Sequence, residues 1–462
     1  MNLNKISPSI LDVKLEKDMI KLLERSFARL HIDVNDNTLT KESNQYPPSK
    51  VKNIKTSLIK DVHLMVKNPK KYILSYKNAG AEIINIHVEA NDVEETLDLI
   101  KKANMKAGLV INPETKVKAI EPYLNKIKEV LIMSVHPGKG GQKFLKRQAK
   151  KIKQVRKLNH RLIIKIDGGI NNKTIKYCIN ADYIIMGHYL FKEMNPMRAI
   201  AEINKEDTAH HLRESVLKML VEAKSGHPAG SLGMADVFTE LYTYMNYNPL
   251  KPNDPKRDYL VLSNGHICPI LYASMAFFGY FNEKELLTLR KINSRLQGHP
   301  HRTALPGLET TSGPLGCGIS QASGMALALR LDKKPNRVIC LVSDGEQDEG
   351  NTWEGVMFAA KYNLTNLTCI MDYNGIQLSG FTKDIMPLSN LKKKYKDFGW
   401  DVKVINGHSF KQIRKALNYK NKRPLMIIAK TIPSKGVYFM ENKWEWHGKA
   451  PTENAISVLN GS

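Results

Sequence analysis

The chain has 462 residues, too many for one ordinary domain and enough for two or three, and its apolar content of 42% suffices for globular cores. No run of about 18 apolar residues occurs, so no membrane span is expected. The net charge of +25 is mostly lysine scattered over helical stretches such as Lys150-Lys151-Ile152-Lys153 and Lys392-Lys393-Lys394, without interleaved aromatics, which reads as a solvated surface and not as a nucleic-acid interface.

The N-terminus, Met1-Asn2-Leu3-Asn4-Lys5, runs straight into an apolar strand and shows no secretory h-region. The five cysteines, at 178, 268, 317, 340 and 369, form no C-x-x-C pair. They point to a reducing, cytoplasmic setting and away from disulfides or zinc ribbons. Over roughly the first 200 residues, eight apolar strand candidates alternate with helical stretches. They begin near Ile6, Leu30, Val62, Ile83, Ala107, Val130, Leu162 and Tyr183. Eight such units predict a TIM (β/α)8 barrel, whose chemistry sits at the C-terminal strand ends.

In R-L-H-I-D-V, His31 and Asp33 are two apart and share one face of a strand; Asp61, His63 and Met65 do the same in D-V-H-L-M-V. Asp167 ends the strand I-I-K-I-D before two glycines. His31, Asp33, His63 and Asp167 can therefore converge at the barrel mouth as a two-histidine, two-carboxylate metal site.

The barrel should end in the polar stretch Asn204-Lys205-Glu206-Asp207, giving domains 1–203 and 204–462. The second domain opens with an amphipathic helix, Leu212 to Ala223, and continues with glycine-rich turns and buried strands, the pattern of a doubly wound parallel sheet. S-G-H-P-A-G-S (225–231) reads as a turn between helices, L-S-N-G-H (262–266) follows a strand, and L-Q-G-H-P (296–300) follows a helix. T-S-G-P-L-G-C-G-I-S (311–320) precedes an Ala/Leu-rich helix, where small residues let a phosphate approach free N–H groups. The apolar run Val338–Val342 ends in S-D-G-E, and Leu367–Met371 ends in D-Y-N-G-I-Q. A carboxylate and an amide at two strand ends suit a hard divalent cation that shares phosphate oxygens.

On S-P-S-I-L (7–11), H-I-D-V (31–34), D-V-H-L-M-V (61–66), A-G-L-V-I-N-P (107–113), M-S-V-H-P-G-K-G-G-Q-K-F (133–144) and D-G-G-I (167–170), the first domain resembles a ribulose-phosphate 3-epimerase. The resemblance implies that Asp33 and Asp167 are the base and acid and also bind the metal (Zn2+, Fe2+, Mn2+ or Co2+) beside His31 and His63. It implies that Ser9 and Met65 line the substrate site and that Gly141, Gly168, Gly169 and Gly187 present N–H groups to the phosphate. The chain departs from the family pattern at Asn35 and Asn37, where methionine and glycine are usual, through the loop Thr40 to Gln45, and at His188, where serine is usual.

With W-H-G-K (446–449) added, the motifs of the second domain are collinear with the thiamine-diphosphate-binding N-terminal domain of transketolase. That resemblance implies Mg2+ (or Ca2+) on Asp344, Asn374 and the carbonyl of Ile376. It places His266, Gly345 and His447 at the diphosphate and Gly313, Pro314 and Leu315 by the aminopyrimidine. His227, His266 and His299 would face the sugar, and Glu349 would relay cofactor activation across a subunit contact. Cys317 and Ser343 stand where glutamine and glycine are common. The sequence stops soon after W-H-G-K, so a separate C-terminal transketolase subunit is the expected partner, within an oligomer acting on sugar phosphates. Two alternatives stay open at this stage: only one half is active, or the chain is a cofactor-binding scaffold with a degraded epimerase.

Overall fold

A computed structural model describes residues 5–11, 13, 15–40, 46–192 and 195–461. The chain divides into two compact units, Met1–Ile203 and Asn204–Ser462. No described helix is long and apolar enough to cross a membrane.

The first unit is an eight-stranded parallel barrel: β1 (Ile6–Pro8), β2 (Arg29–Asn35), β3 (Ile59–Met65), β4 (Ile83–His87), β5 (Lys106–Ile111), β6 (Glu129–Met133), β7 (Ile163–Asp167) and β8 (Tyr183–Met186). The strands pair in sequence from β2 round to β8 and then to β1, and a parallel bridge between Ser9 and His31 spans the last gap. β2 and β6 begin one residue earlier than their apolar runs suggest, because each opens on a buried charge, Arg29 and Glu129. Arg29 Nη1 donates to Glu129 Oε1 at 2.8 Å. Lys165 Nζ lies 2.8 Å from Glu129 Oε2 and from Asp61 Oδ2, and it also donates to Asn85 Oδ1 at 2.8 Å. Charges that would be costly alone are neutralised as a network inside the strand ring.

The second unit holds a five-stranded, all-parallel sheet. In chain order its strands are β9 (Tyr259–Leu262), β10 (Val338–Ser343), β11 (Leu367–Tyr373), β14 (Asp401–Asn406) and β15 (Leu425–Lys430), arranged β14-β15-β11-β10-β9. A small antiparallel hairpin, β12 (Ile376–Gln377) with β13 (Gly380–Phe381), follows β11. Central strands of a parallel sheet are covered on both faces, which is why β10 and β11 read as unbroken apolar runs. Val338, Cys340 and Val342 pack with Ile319, Ala322 and Ala326 of the helix Cys317–Leu331 and with Val356 and Ala359 of the helix Gly350–Lys361.

Two local expectations need correction. Pro228–Gly233 is a helix and not a turn, started by Pro228, whose missing N–H costs nothing in a first turn. The segment 296–300 follows a 3-10 turn, Glu283–Thr288, and a stretch of bends, not a regular helix. The opening helix is also longer than its apolar stripe, Lys205–Ala223, with Glu206 and Asp207 in its first turn favouring the positive end of its dipole.

Candidate active sites

Period-two alternation turns His31 and Asp33 of β2 and His63 of β3 to one face, and parallel register places Asp33 beside His63. Asp167 closes β7. One ligand atom from each of His31, Asp33, His63 and Asp167 lies within 4.8 Å of the others. His63 Nδ1 is 2.9 Å from Asp33 Oδ1, and Ser9 Oγ donates to Asp33 Oδ2 at 2.8 Å. His31 Nε2 is 3.4 Å from Asp33 Oδ1 and has no hydrogen-bond partner among the described residues. A buried imidazole nitrogen left over among carboxylates is the donor set of a divalent metal, so these residues fit such an ion.

The electrostatics separate the two carboxyls. Burial works against the charge on Asp33, but His31 and then His63 outweigh it and hold the group well below the usual carboxylate range. Burial, reinforced by the charge on Asp33, pushes Asp167 up to about 7. Burial opposes a charge on His31 too, but Asp33 and Asp61 raise it to about 10, whereas burial draws His63 down to about 4. One carboxyl is thus held ionised and its neighbour holds a proton more readily.

A cavity over these groups is lined by Ser9, Met65, Gly141, Gly187 and the D-G-G turn 167–169, which includes every barrel substrate residue expected from sequence. Gly169 adopts φ +64°, and a Cβ there would sit 2.6 Å from the Gln142 carbonyl oxygen and the Phe144 N, so only glycine lets the two loops close. The departures cluster at this mouth. Asn37 takes φ 63°, a conformation that asparagine tolerates in place of glycine. Asn35 hydrogen-bonds Thr40, against which Gly138 packs, and His188 lines the cavity beside Gly141. The rest of that loop, 41–45, lies outside the described residues.

In the second unit, parallel pairing of Ser343 with Asp372 sets the ends of β10 and β11 side by side. Asp344 is buried and accepts from Gly345 N at 2.8 Å and Gly375 N at 2.6 Å. Burial, with Asp372 close by, pushes it up to about 8. Asn374 Nδ2 donates to Asp372 Oδ2 at 2.8 Å, and its Oδ1 accepts from Ile376 N at 3.0 Å. His227, His266 and His447 form a triangle with ring centroids 5.2 to 5.6 Å apart. His299 sits apart from the triangle, against Gly265 where that glycine nears Gly313 N. Burial lowers His227 and His447 to about 4 and holds His266 well below its ordinary value, so the rings stand neutral. His227 Nδ1, His447 Nδ1 and Gln377 Nε2 are buried without a hydrogen-bond partner among the described residues. Orphaned donors beside an acid at a strand end fit a bound, metal-linked diphosphate.

Glu349 is exposed at the start of its helix, outside the triangle. Gly313, Pro314 and Leu315 precede the helix at Cys317, and Gly316, at φ +79°, is pressed so closely on Asn351 and Glu349 that no side chain fits. Glu346 stands in S-D-G-E, where the motif alone gives it no role. It is buried, accepts from Gly316 N at 2.6 Å and Ser343 N at 3.2 Å, and bonds Ser263, so it fastens the glycine-rich loop to the ends of β9 and β10. Asp372, in D-Y-N-G-I-Q, is likewise a support that its motif does not announce. In the barrel, sequence reasoning puts Asp61 on the face of His63 without a role and misses Lys165, Glu129, His87 and Glu89; the H-x-E spacing of His87 and Glu89 repeats that of His31 and Asp33 and is a usable signal.

Comparison with known proteins agrees with both halves. Residues 204–461 match the family model described as transketolase, thiamine diphosphate binding domain. The chain belongs to this family. Residues 5–191 match the ribulose-phosphate 3 epimerase family, so an epimerase-family barrel precedes the thiamine-diphosphate-binding-family domain. It is 39% identical over 256 residues to the 6-deoxy-6-sulfo-D-fructose transketolase subunit of a Clostridium strain, covering 54% of this chain and 93% of that one. It is 37% identical over 244 residues to an apulose-4-phosphate transketolase subunit of Phocaeicola vulgatus, covering 52% and 86%. Against human transketolase the identity is 40%, with 55% of this chain but only 41% of that one covered. The crystal structure of Campylobacter jejuni transketolase superposes with a TM-score of 0.53 at 33% identity, over 55% of this chain and 42% of that one.

Proposed function

We propose that the chain is a bifunctional, cytoplasmic enzyme of pentose phosphate metabolism. Its barrel interconverts ribulose 5-phosphate and xylulose 5-phosphate. Its second domain binds thiamine diphosphate and, with a separate transketolase C-terminal subunit, moves a two-carbon ketol unit from xylulose 5-phosphate to an aldose phosphate. The observation that carries the reading is a cavity whose lining unites two unlike carboxyls with Gly141, Gly168, Gly169 and Gly187.

In the barrel, His31, Asp33, His63 and Asp167 would hold a divalent ion (Zn2+, Fe2+, Mn2+ or Co2+), which when bound supplies positive charge next to the sugar's oxygens. Asp33 and Asp167 do the proton work. One removes the proton from the carbon next to the carbonyl, and the other returns a proton to the opposite face, so that centre inverts. Ser9 and Met65 border the sugar, while N–H groups of Gly141, Gly168, Gly169 and Gly187 receive its phosphate.

In the second domain Asp344, Asn374 and the Ile376 carbonyl would hold Mg2+ or Ca2+. Thiamine diphosphate when bound supplies the electron sink for ketol transfer. His266, Gly345 and His447 orient its diphosphate, and Gly313, Pro314 and Leu315 flank its aminopyrimidine. His227, His266 and His299 grip the sugar's carbonyl and hydroxyls, and Glu349 serves at the contact with the neighbouring subunit. The near-full coverage of relatives named as subunits supports the split arrangement.

The test uses the purified full chain. Ribulose 5-phosphate should turn over with divalent metal and stop with chelator. Ketol transfer from xylulose 5-phosphate should appear only when a complementary subunit is added. Absence of epimerisation with every metal tried, or ketol transfer by the chain alone, overturns the corresponding half.

A further inference from the structure

His63 is held from behind by a second histidine. Its Nε2 lies 2.9 Å from His87 Nε2. The ring planes differ by 23° and the centroids are 5.0 Å apart, so the contact is edge to edge, nitrogen to nitrogen. His87 Nδ1 in turn lies 3.3 Å from Glu89 Oε2. Glu89 is itself anchored at the surface: it accepts from Asn112 N at 3.2 Å and from the Thr115 hydroxyl, and despite partial burial these bonds and His87 keep its carboxyl below its ordinary value. Both imidazoles are fully buried, so no solvent competes for their nitrogens.

We infer that Glu89 and His87 form a positioning relay that fixes the tautomer of His63 and aims its Nδ1 lone pair at the Asp33 cluster. The donors and acceptors along the chain of contacts set where each proton sits. An ionised Glu89 can only accept, so His87 carries a proton on Nδ1. With a single ring proton, His87 then offers a bare Nε2, which can only accept, and the facing Nε2 of His63 carries the proton; the opposite assignment, with His63 Nδ1–H on Asp33, would leave His87 Nδ1 bare against Glu89. The remaining nitrogen of His63, Nδ1, is left bare, 2.9 Å from Asp33 Oδ1. Two acceptors in that position repel each other unless a cation lies between them. The relay thus makes the cluster a standing cation site, and it also sets ring orientation, as groups behind a ligating histidine do. His31 has a comparable but looser support, with Nδ1 3.5 Å from Asp61 Oδ2, a carboxylate held by Lys165.

The inference rests on the proposed metal site, and the experiment separates the two. The full chain labelled with 15N-histidine is compared as wild type, His87→Phe, His87→Gln, Glu89→Ala and His63→Gln, the last assigning the His63 resonances. Without metal, His63 in wild type should show the Nε2–H tautomer; His87→Phe, which cannot accept, should lose it, and His87→Gln, whose amide oxygen can accept, should restore it. Competition with a chelator for Zn2+ should then show His87→Phe weakened roughly 10- to 100-fold and Glu89→Ala less, with His87→Gln recovering most of the loss. An unchanged His63 tautomer in a folded His87→Phe variant overturns the relay, as does equal Zn2+ affinity in His87→Phe and wild type. A wild type that binds no Zn2+ defeats the metal reading instead, and the tautomer comparison still decides the relay.

Discussion

Around the barrel cluster, Asp33, His63 and Asp61 are each held by other side chains, and His31 Nε2 is the nitrogen left without a hydrogen bond among the described residues. Asp33 accepts from Ser9 and faces two histidines, His63 meets His87, and Asp61 ties His31 to Lys165. In the sheet domain the three histidines lean mainly on one another, and three of the nitrogens around them have no partner among the described residues. The first arrangement is preorganised, its dipoles already aimed before a substrate enters. The second is a mould, whose buried donors are satisfied only by what fills it. Strand ends in a closed barrel converge on one axis and can build a complete site from short side chains. The ends of an open sheet splay, and they grip a large ligand along one side.

That contrast breaks most sharply if one carboxylate is removed from the barrel. Asp33→Asn or Asp167→Asn should lower epimerase turnover by roughly 1,000-fold, the middle of the range for general acid–base groups. Thiamine diphosphate binding by the other domain should not change. Turnover that survives both substitutions in a folded protein, checked by circular dichroism, removes the proposed acid and base.

A second test asks how far the barrel's stability depends on its buried charge network. Asp61→Asn strips Lys165 of one of two carboxylates and His31 of its support. Breaking a buried pair costs about 3–5 kcal/mol, and the remaining Glu129 favours the lower end. Urea unfolding should show the barrel's transition displaced and the sheet domain's unmoved. A change under about 1 kcal/mol would mean that Glu129 alone satisfies the lysine.

The mirror-image substitution, Asp344→Asn, should barely alter stability in the absence of ligand, because a carboxyl raised to about 8 is already largely protonated at neutral pH. It should weaken thiamine diphosphate binding with Mg2+ by at least roughly 30-fold, or about 2 kcal/mol, the lower bound for losing a buried charged contact. Calorimetric titration measures this, with epimerase turnover as the internal control. Equal affinity in the variant would leave the acid at the end of β10 without a ligand.

Legibility follows the same division. The eight barrel strands can be read because their apolar runs recur at regular intervals, and His31, Asp33, His63 and Asp167 can be grouped because strand periodicity puts alternate residues on one face. Arg29, Glu129 and Lys165 are opaque, and Asp61 shows its face but not its role: a charge near a strand start normally marks the surface, and only the closed ring reveals the four of them neutralising one another indoors. Glu346 and Asp372 stand in plain sight inside their motifs. Their work is to hold loops through backbone N–H groups, threonine and asparagine, and such bonds join segments whose separation in sequence carries no period. Pro228–Gly233 has the composition of a turn, but glycine and proline also suit a short first-turn helix that the surrounding core buries completely.

The smallest effect concerns histidines that titrate in opposite directions within the sheet domain. His211 lies 3.1 and 3.2 Å from the two oxygens of Glu283. Burial would depress it, but the carboxylate prevails and raises it above the ordinary 6.5. A raised histidine contributes stability that is fully present below about pH 6.5 and fades as pH climbs through the folded value. Because the pair is partly exposed, at 33% and 42%, the contribution should stay under about 1 kcal/mol. His211→Gln should therefore be less stable than wild type at about pH 5.5 and converge on it at high pH. His227 and His447, lowered to about 4, act the other way, since the unfolded chain binds their protons first and acid weakens the fold. Removing His211 leaves those two unopposed, so the variant's acid limb should steepen; a gap that widens with rising pH would show that burial, not Glu283, governs His211.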